Sequence, residues 1–238
     1  MQTTNTYQNP YFGNINDGDK HHTFSLNNLS TWLVDMNTKA HWENIYLTKQ
    51  PNEVSWKEDT PHASLDFIKK NCLFKNSKII DVGGGDSKLV DHLLSEGYSN
   101  ITVLDISKAA IERAKKRLGR NAKRVKWIVS DILDFNPTET YDLWHDRAAF
   151  HFQIEPQQIS KYLDIVGRAV NKVLIIGTFS TDGPEKCSGL DIQQYDQASM
   201  SKAIDDIHFD LMECKDIEHT TPTENKQNFI FCSFKRRF

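Results

Sequence analysis

Between Lys78 and Ile176 the chain alternates short, wholly apolar runs with helical stretches, and few folds accept that pattern. The runs are Lys78 to Val82, Ile101 to Leu104, Val125 to Val129, Tyr141 to Trp144 and Val173 to Ile176. A strand that is apolar on both faces must be covered on both, as in a parallel sheet layered between helices. The intervening stretches, Ser87 to Glu96, Lys108 to Leu118 and Pro156 to Val170, are predicted as helices, the first and third amphipathic. Farther on, Phe209 to Glu218 and Asn228 to Lys235 are extended runs joined by a polar turn around Thr221 to Lys226. So short a link forces antiparallel pairing, because a parallel crossover needs about a dozen residues or more. The expected fold is α/β: a doubly wound, mostly parallel seven-stranded sheet with a C-terminal antiparallel hairpin.

Upstream, Met1 to about Ser25 is rich in Asn, Thr, Asp and Gly and lacks periodicity, which predicts an extended or mobile arm. From Leu29 to about Thr48 apolar residues recur at mostly helical spacing, enough for one or two short helices. Thr60-Pro61 is expected to open a further helix, a hydroxyl cap followed by proline in the first turn. With 238 residues there is room for one such domain and not two. We therefore expect residues 1–40 to form an arm and the start of a helical cap, and 41–238 the domain proper.

Composition narrows the function. No apolar run approaches the ~20 residues that cross a bilayer, so no membrane span is expected. The N-terminus lacks the features of a secretory signal, and the cytoplasm is the expected address. A net charge of -3 and a pI near 6.3 provide no basic face for nucleic acid. The cluster of Arg113, Lys115, Lys116, Arg117, Arg120, Lys123 and Arg124 reads as the solvated face of a helix and its following turn. Cys72, Cys187, Cys214 and Cys232 lie far apart without a C-x-x-C pair, which argues against a disulfide framework and a zinc site. They are expected to be reduced thiols, three of them buried in or beside strands, and no metal site is expected.

Three segments carry chemistry. In Ile79-Ile80-Asp81-Val82-Gly83-Gly84-Gly85-Asp86-Ser87 a strand enters a glycine turn and then a helix, letting a ligand lie against bare backbone. Asp81 and Asp86 flank that turn, so a pyrophosphate is disfavoured there and a phosphate-free cation favoured; Asp86 is also open to a helix-capping role. Asp105 ends the next run some 20 positions on, where a carboxylate accepts from both hydroxyls of an adenosine ribose; it is alternatively a cap, although Ser107 can cap that helix instead. In Ser130-Asp131-Ile132 a carboxylate can accept from an adenine amino group while the apolar neighbour packs on the ring, or Asp131 is simply a turn residue.

The ordered set D-V-G-G-G, V-L-D-I-S and S-D-I resembles the nucleoside-binding motifs of class I S-adenosylmethionine-dependent methyltransferases. The terminal hairpin is similar to the strand pair that separates that fold from dehydrogenases. The resemblance covers roughly His41 to Phe238, and Ser87 departs from it where a third glycine is common. It implies that Asp81 and Gly83, Gly84 and Gly85 hold the methionine part, Asp105 the ribose, and Asp131 with Ile132 the adenine, with Ile106 also at the cofactor. The upstream stretch H-W-E-N-I-Y, followed by Trp56 and Pro61, resembles the lead-in segment of small methyltransferases, including some that act on protein lysines. There Trp42, Tyr46 and Trp56 would close over the methionine end; ordinary aromatic packing is the alternative for each.

Ligands of doubly wound sheets bind outside the carboxyl ends of the strands, so Leu143 to Phe152 faces the transferred methyl. His145 and Asp146 are the candidates for contact with cofactor or acceptor and for removing a proton, whereas His151 reads as a buried structural histidine. Methyl transfer from a sulfonium needs little covalent help, and alignment of the acceptor can contribute ~7 to 11 kcal/mol. The polar loop from Ser180 to Leu190 is expected to form a wall or lid, with Cys187 a plain thiol or a reactive one. The expected activity is methyl transfer from S-adenosylmethionine, yielding S-adenosylhomocysteine, to a small molecule or a protein lysine. The alternatives are a nicotinamide-dependent oxidoreductase, against which Asp86 and the hairpin count, and a non-catalytic nucleoside-binding module, which would have lost the motif acids.

Overall fold

The structure, a computed structural model, describes residues 38–72 and 74–237. The expected N-terminal arm, and nearly all of the segment 1–40, lie outside the described residues. Residues 38–48 are helical and form α1. α2 spans His62–Asn71, α3 Leu89–Ser95, α4 Lys108–Leu118, α5 Pro156–Ala169 and α6 Gln197–Asp205. The strands are β1 (Lys78–Val82), β2 (Asn100–Asp105), β3 (Val125–Val129), β4 (Tyr141–Arg147), β5 (Val170–Phe179), β6 (Lys186–Cys187), β7 (Leu190–Asp191), β8 (Phe209–Thr220) and β9 (Lys226–Arg236).

Seven strands make one sheet in the order β3-β2-β1-β4-β5-β9-β8, parallel from β3 to β5 and antiparallel across β9 and β8. β6 and β7 pair separately as a small hairpin. Successive strand residues face opposite sides, and each side finds its own cover. Ile80, Val82, Trp144 and Leu174 join Tyr162, Val166, Met200 and Ile204 of α5 and α6 in one core. Ile79, Leu143 and Ile175 join Ile68, Leu93 and Ile111 of α2, α3 and α4 in the other. The chain leaves β1 toward β2 on one side and later returns to place β4 on the other. The sheet order therefore reverses beside β1, which opens a crevice there.

The differences from expectation have local causes. α2 begins at His62 with Pro61 at the N-cap and no side-chain cap bond, so the Thr60 hydroxyl does not cap it. Val170 belongs to β5 rather than to the preceding helix, and β4 runs three residues beyond Trp144 into a polar end. α6 was not expected at all; of its nine residues only Met200 and Ile204 are buried, too few to show a stripe. Two of the four cysteines are not thiols: Cys214 and Cys232 face each other in the β8–β9 register and form a disulfide. Cys72 and Cys187 are free and buried. After unfolding without reductant, iodoacetamide is expected to add to Cys72 and Cys187 only, read by peptide mass spectrometry; addition at all four would contradict the pairing.

Candidate active site

The ends of β3, β2, β1 and β4 stand side by side and border one cavity. Of the residues expected at a cofactor, Trp42, Tyr46, Trp56, Asp81, Gly83, Gly84, Asp105, Ile106, Asp131, Ile132 and His145 all line it. Gly85 does not, yet it serves the turn: its φ of 47° is left-handed, and a Cβ there would stand 2.7 Å from Tyr46 Oη. A Cβ on Gly84 would fall 2.6 Å from Asp81 Oδ2 and 2.9 Å from Val103, so the floor of the cavity must be bare backbone.

Each acid of the site has a distinct environment. Asp105 is 5 % exposed; its Oδ1 accepts from the Ser107 N–H at 2.7 Å. Burial, with Asp86 and Asp81 adding to it, pushes its carboxyl up to about 7 against the Ser107 and Gly85 amides. Ser107 in turn accepts from Ala110 N–H and caps α4, which frees Asp105 from capping. Asp131 Oδ1 accepts from Leu133 N–H, and Ile132 beside it is buried. Asp81 sits opposite His145 across the β1–β4 pair, its Oδ1 2.7 Å from His145 Nδ1.

Two expected roles do not fit the geometry. Asp86 is neither a helix cap nor part of the cavity wall: α3 starts at Leu89, whose N–H is met by Ser87 Oγ at 3.2 Å. Its carboxylate lies 3.6 Å from Arg113, and Arg117 donates to the Asp86 and Ser87 carbonyls, so α4 braces the glycine turn. The supposed pair of unbalanced acids is thus partly answered within the protein: Asp86 is paired with Arg113, and Asp81 is hydrogen-bonded to His145. Asp146 is fully buried outside the cavity wall. Its oxygens accept from Ala149 N–H (2.9 Å), Phe150 N–H (3.1 Å) and Tyr162 O–H (2.6 Å), leaving it to shape the turn after β4. His151 is fully buried; burial pushes its ring down to about 3, the neutral form, and its Nε2 has no hydrogen-bond partner among the described residues.

Further wall residues come from the end of β4 and the segment after it, and from the loop expected to form a wall. Phe152, Gln153, Arg147 and Cys187 join the cavity, Cys187 with its thiol pushed up to about 11 by burial, which suits a packed side chain better than a nucleophile. A clamp holds the segment bearing Trp56. Arg147 donates to the Glu58 carboxylate and to Trp56 O (3.0 Å), while His219 of β8 meets Ser55 O at 2.6 Å and Glu58 Oε1 at 3.2 Å. Burial works to raise the Glu58 carboxyl, but His219, Arg147 and His62 outweigh it and hold it below the usual carboxylate range.

Comparison with known proteins fits this geometry. Residues 79–172 match the family described as Methyltransferase domain. The chain is 26% identical over 127 residues to EEF1A lysine methyltransferase 2 of Danio rerio, covering 48% of this chain and 54% of the relative. It is 32% identical over 90 residues to malonyl-[acyl-carrier protein] O-methyltransferase 1 of Ilyobacter polytropus, covering 37% of this chain and 33% of that one. The chain thus spans about half the length of the first relative and a third of the second. Burkholderia thailandensis 1,6-didemethyltoxoflavin-N1-methyltransferase, solved with 1,6-didemethyltoxoflavin and S-adenosylhomocysteine bound, superposes with a TM-score of 0.63 at 13% identity, over 93% of this chain and 94% of that one. The fold is that of the class I S-adenosylmethionine-dependent methyltransferases.

Removing the centre of the clamp leaves Arg147 and His219 without their carboxylate. Glu58→Ala is expected to lower stability by about 1 to 2 kcal/mol, less than a fully buried pair because Glu58 keeps some solvent contact. A urea unfolding curve checks this, with Lys88→Ala, which loses only the exposed pair to Asp59, expected to coincide with the wild type.

Proposed function

We propose that the protein transfers a methyl group from S-adenosylmethionine to an acceptor by in-line displacement and releases S-adenosylhomocysteine. The observation that carries this reading is Asp105: a buried carboxylate at the end of β2 that lines the cavity beside a floor of bare glycine backbone. Two ribose hydroxyls donate to it in this reading. Asp131 and Ile132 take the adenine, and Gly83, Gly84 and Asp81 the methionine part. Ser87 already satisfies the Leu89 amide, so the start of α3 is less open to the pyrophosphate of a dinucleotide.

Bound, the cofactor supplies an electrophilic methyl on a sulfonium. The chain's share is orientation and exclusion of water. Tyr46 lies over the glycine turn, and Trp42 and Trp56 meet edge to face at 5.7 Å as a cover for the methionine end. Residues 41–238 constitute the catalytic domain in this reading. The relatives' names support both a protein-lysine and a small-molecule acceptor. Among the described residues no helix is long and apolar enough to cross a membrane. A cytoplasmic address belongs to the same proposal, although a disulfide such as Cys214–Cys232 is uncommon in that reducing compartment.

The ribose contact fixes a pH dependence. Hydroxyl donors favour the charged carboxylate, so a proton must leave Asp105 for binding at any pH below its value of about 7. Calorimetric affinity for S-adenosylhomocysteine is expected to rise about tenfold from pH 6 to pH 8. Asp105→Asn should be weaker throughout and lose that slope, and NAD should not bind. Binding of NAD in place of S-adenosylhomocysteine would contradict the proposal, as would binding without turnover on any acceptor.

A further inference from the structure

The sheet order orders the ligands. If adenine, ribose and methionine occupy the ends of β3, β2 and β1, as in the reading above on which this inference rests, the next place along the crevice belongs to the acceptor. It lies at the end of β4, where His145, Arg147, Phe152 and Gln153 reach the cavity, with Cys187 of β6 opposite. The chain turns sharply there: Ala148 adopts a left-handed φ of 66°, held by its N–H donating to Gly177 O at 2.8 Å. Such strain in a residue other than glycine persists where the surroundings enforce it, and it brings Phe152 and Gln153 back to the wall.

His145 is 1 % exposed, and its two nitrogens differ. Nδ1 faces the Asp81 carboxylate, which only accepts, so Nδ1 carries a hydrogen, and in the neutral ring Nε2 holds the lone pair. Nε2 is buried and has no hydrogen-bond partner among the described residues. A buried acceptor without a donor is destabilising in the empty site and is satisfied when a ligand brings an X–H group. In the same cavity Phe152 meets Trp42 of the methionine cover edge to face, at 5.2 Å and 75°. Those rings suit a flat apolar body, and the Arg147 guanidinium in the same wall is already paired with Glu58.

We propose that the acceptor is a small planar weak acid, an aromatic N–H or phenolic O–H, and that His145 Nε2 takes its hydrogen. The acceptor nitrogen or oxygen forms its bond to the methyl carbon as the carbon–sulfur bond breaks. The pair of that bond stays on sulfur, which loses its charge, and the acceptor proton passes to Nε2 and on to water. Asp81 orients the ring and balances the imidazolium.

The test uses the whole protein, with benzimidazole, N-methylbenzimidazole, a simple phenol and a lysine peptide as probes. With S-adenosylhomocysteine bound, the wild type should bind benzimidazole more tightly than the N-methyl compound, and with S-adenosylmethionine it should methylate the azole or the phenol. His145→Gln should keep its affinity for S-adenosylhomocysteine, lose the preference for N–H over N-methyl, and turn over at least about 100-fold more slowly. Methylation of the lysine peptide alone, or of none of the probes, would overturn the inference while leaving cofactor binding intact. So would loss of S-adenosylhomocysteine affinity in a folded His145→Gln, which would assign Nε2 to the cofactor. Should that variant fail to fold, the N–H against N-methyl comparison on the wild type decides by itself. Failure of the wild type to bind S-adenosylhomocysteine would instead remove the proposed function.

Discussion

The bond between Asp81 and His145 joins the two strands at which the sheet order reverses. β1 and β4 are neighbours only because the chain leaves β1 in one direction and returns on the other side, so their carboxyl ends splay around a crevice. At that opening a carboxylate and an imidazole, both buried, satisfy each other at 2.7 Å. Without the partner either group would be a polar cost in the heart of the domain. With it, Asp81 can sit directly beneath the glycine turn and His145 can present one nitrogen to the cavity. The rest of the site is arranged around this pair: Asp105 one strand away on one side, the turn of Ala148 and Phe152 on the other.

What surrounds the pair is bracing. Arg117 ties α4 to the carbonyls of the glycine turn, Asp146 fixes the turn after β4 through three accepted hydrogen bonds, and Glu58 with Arg147 and His219 anchors the aromatic cover. These groups do not need to touch a ligand to matter, because a displacement of about 1 Å in a supporting residue is felt strongly at a reacting atom. β8 contributes through His219, which connects the antiparallel hairpin to the cavity's cover. The disulfide within that hairpin links two strands that are already hydrogen-bonded.

The sheet was legible because burial on both faces leaves a plain mark. β1 and β3 begin and end where their apolar runs do. β4 was read short because its last three residues, His145, Asp146 and Arg147, are polar and serve the site or its turn rather than the core. Asp81, Asp105 and Asp131 were legible from their positions at strand ends, but the pairing of Asp86 was not. It depends on Arg113, which sequence pattern assigns to a solvated helix face. The Glu58–Arg147–His219 clamp joins residues 89 and 161 positions apart, and no local signal spans such distances. The cysteine pair is hidden for the same reason: only the register of β8 against β9 sets Cys214 opposite Cys232.

The account is tested most directly by a crystal structure of the protein with S-adenosylhomocysteine. It predicts both ribose hydroxyls within about 3 Å of the Asp105 carboxylate, the adenine against Ile132, and the sulfur directed toward His145. A nucleoside bound away from Asp105, or a diphosphate seated on Gly83 and Gly84, would contradict it.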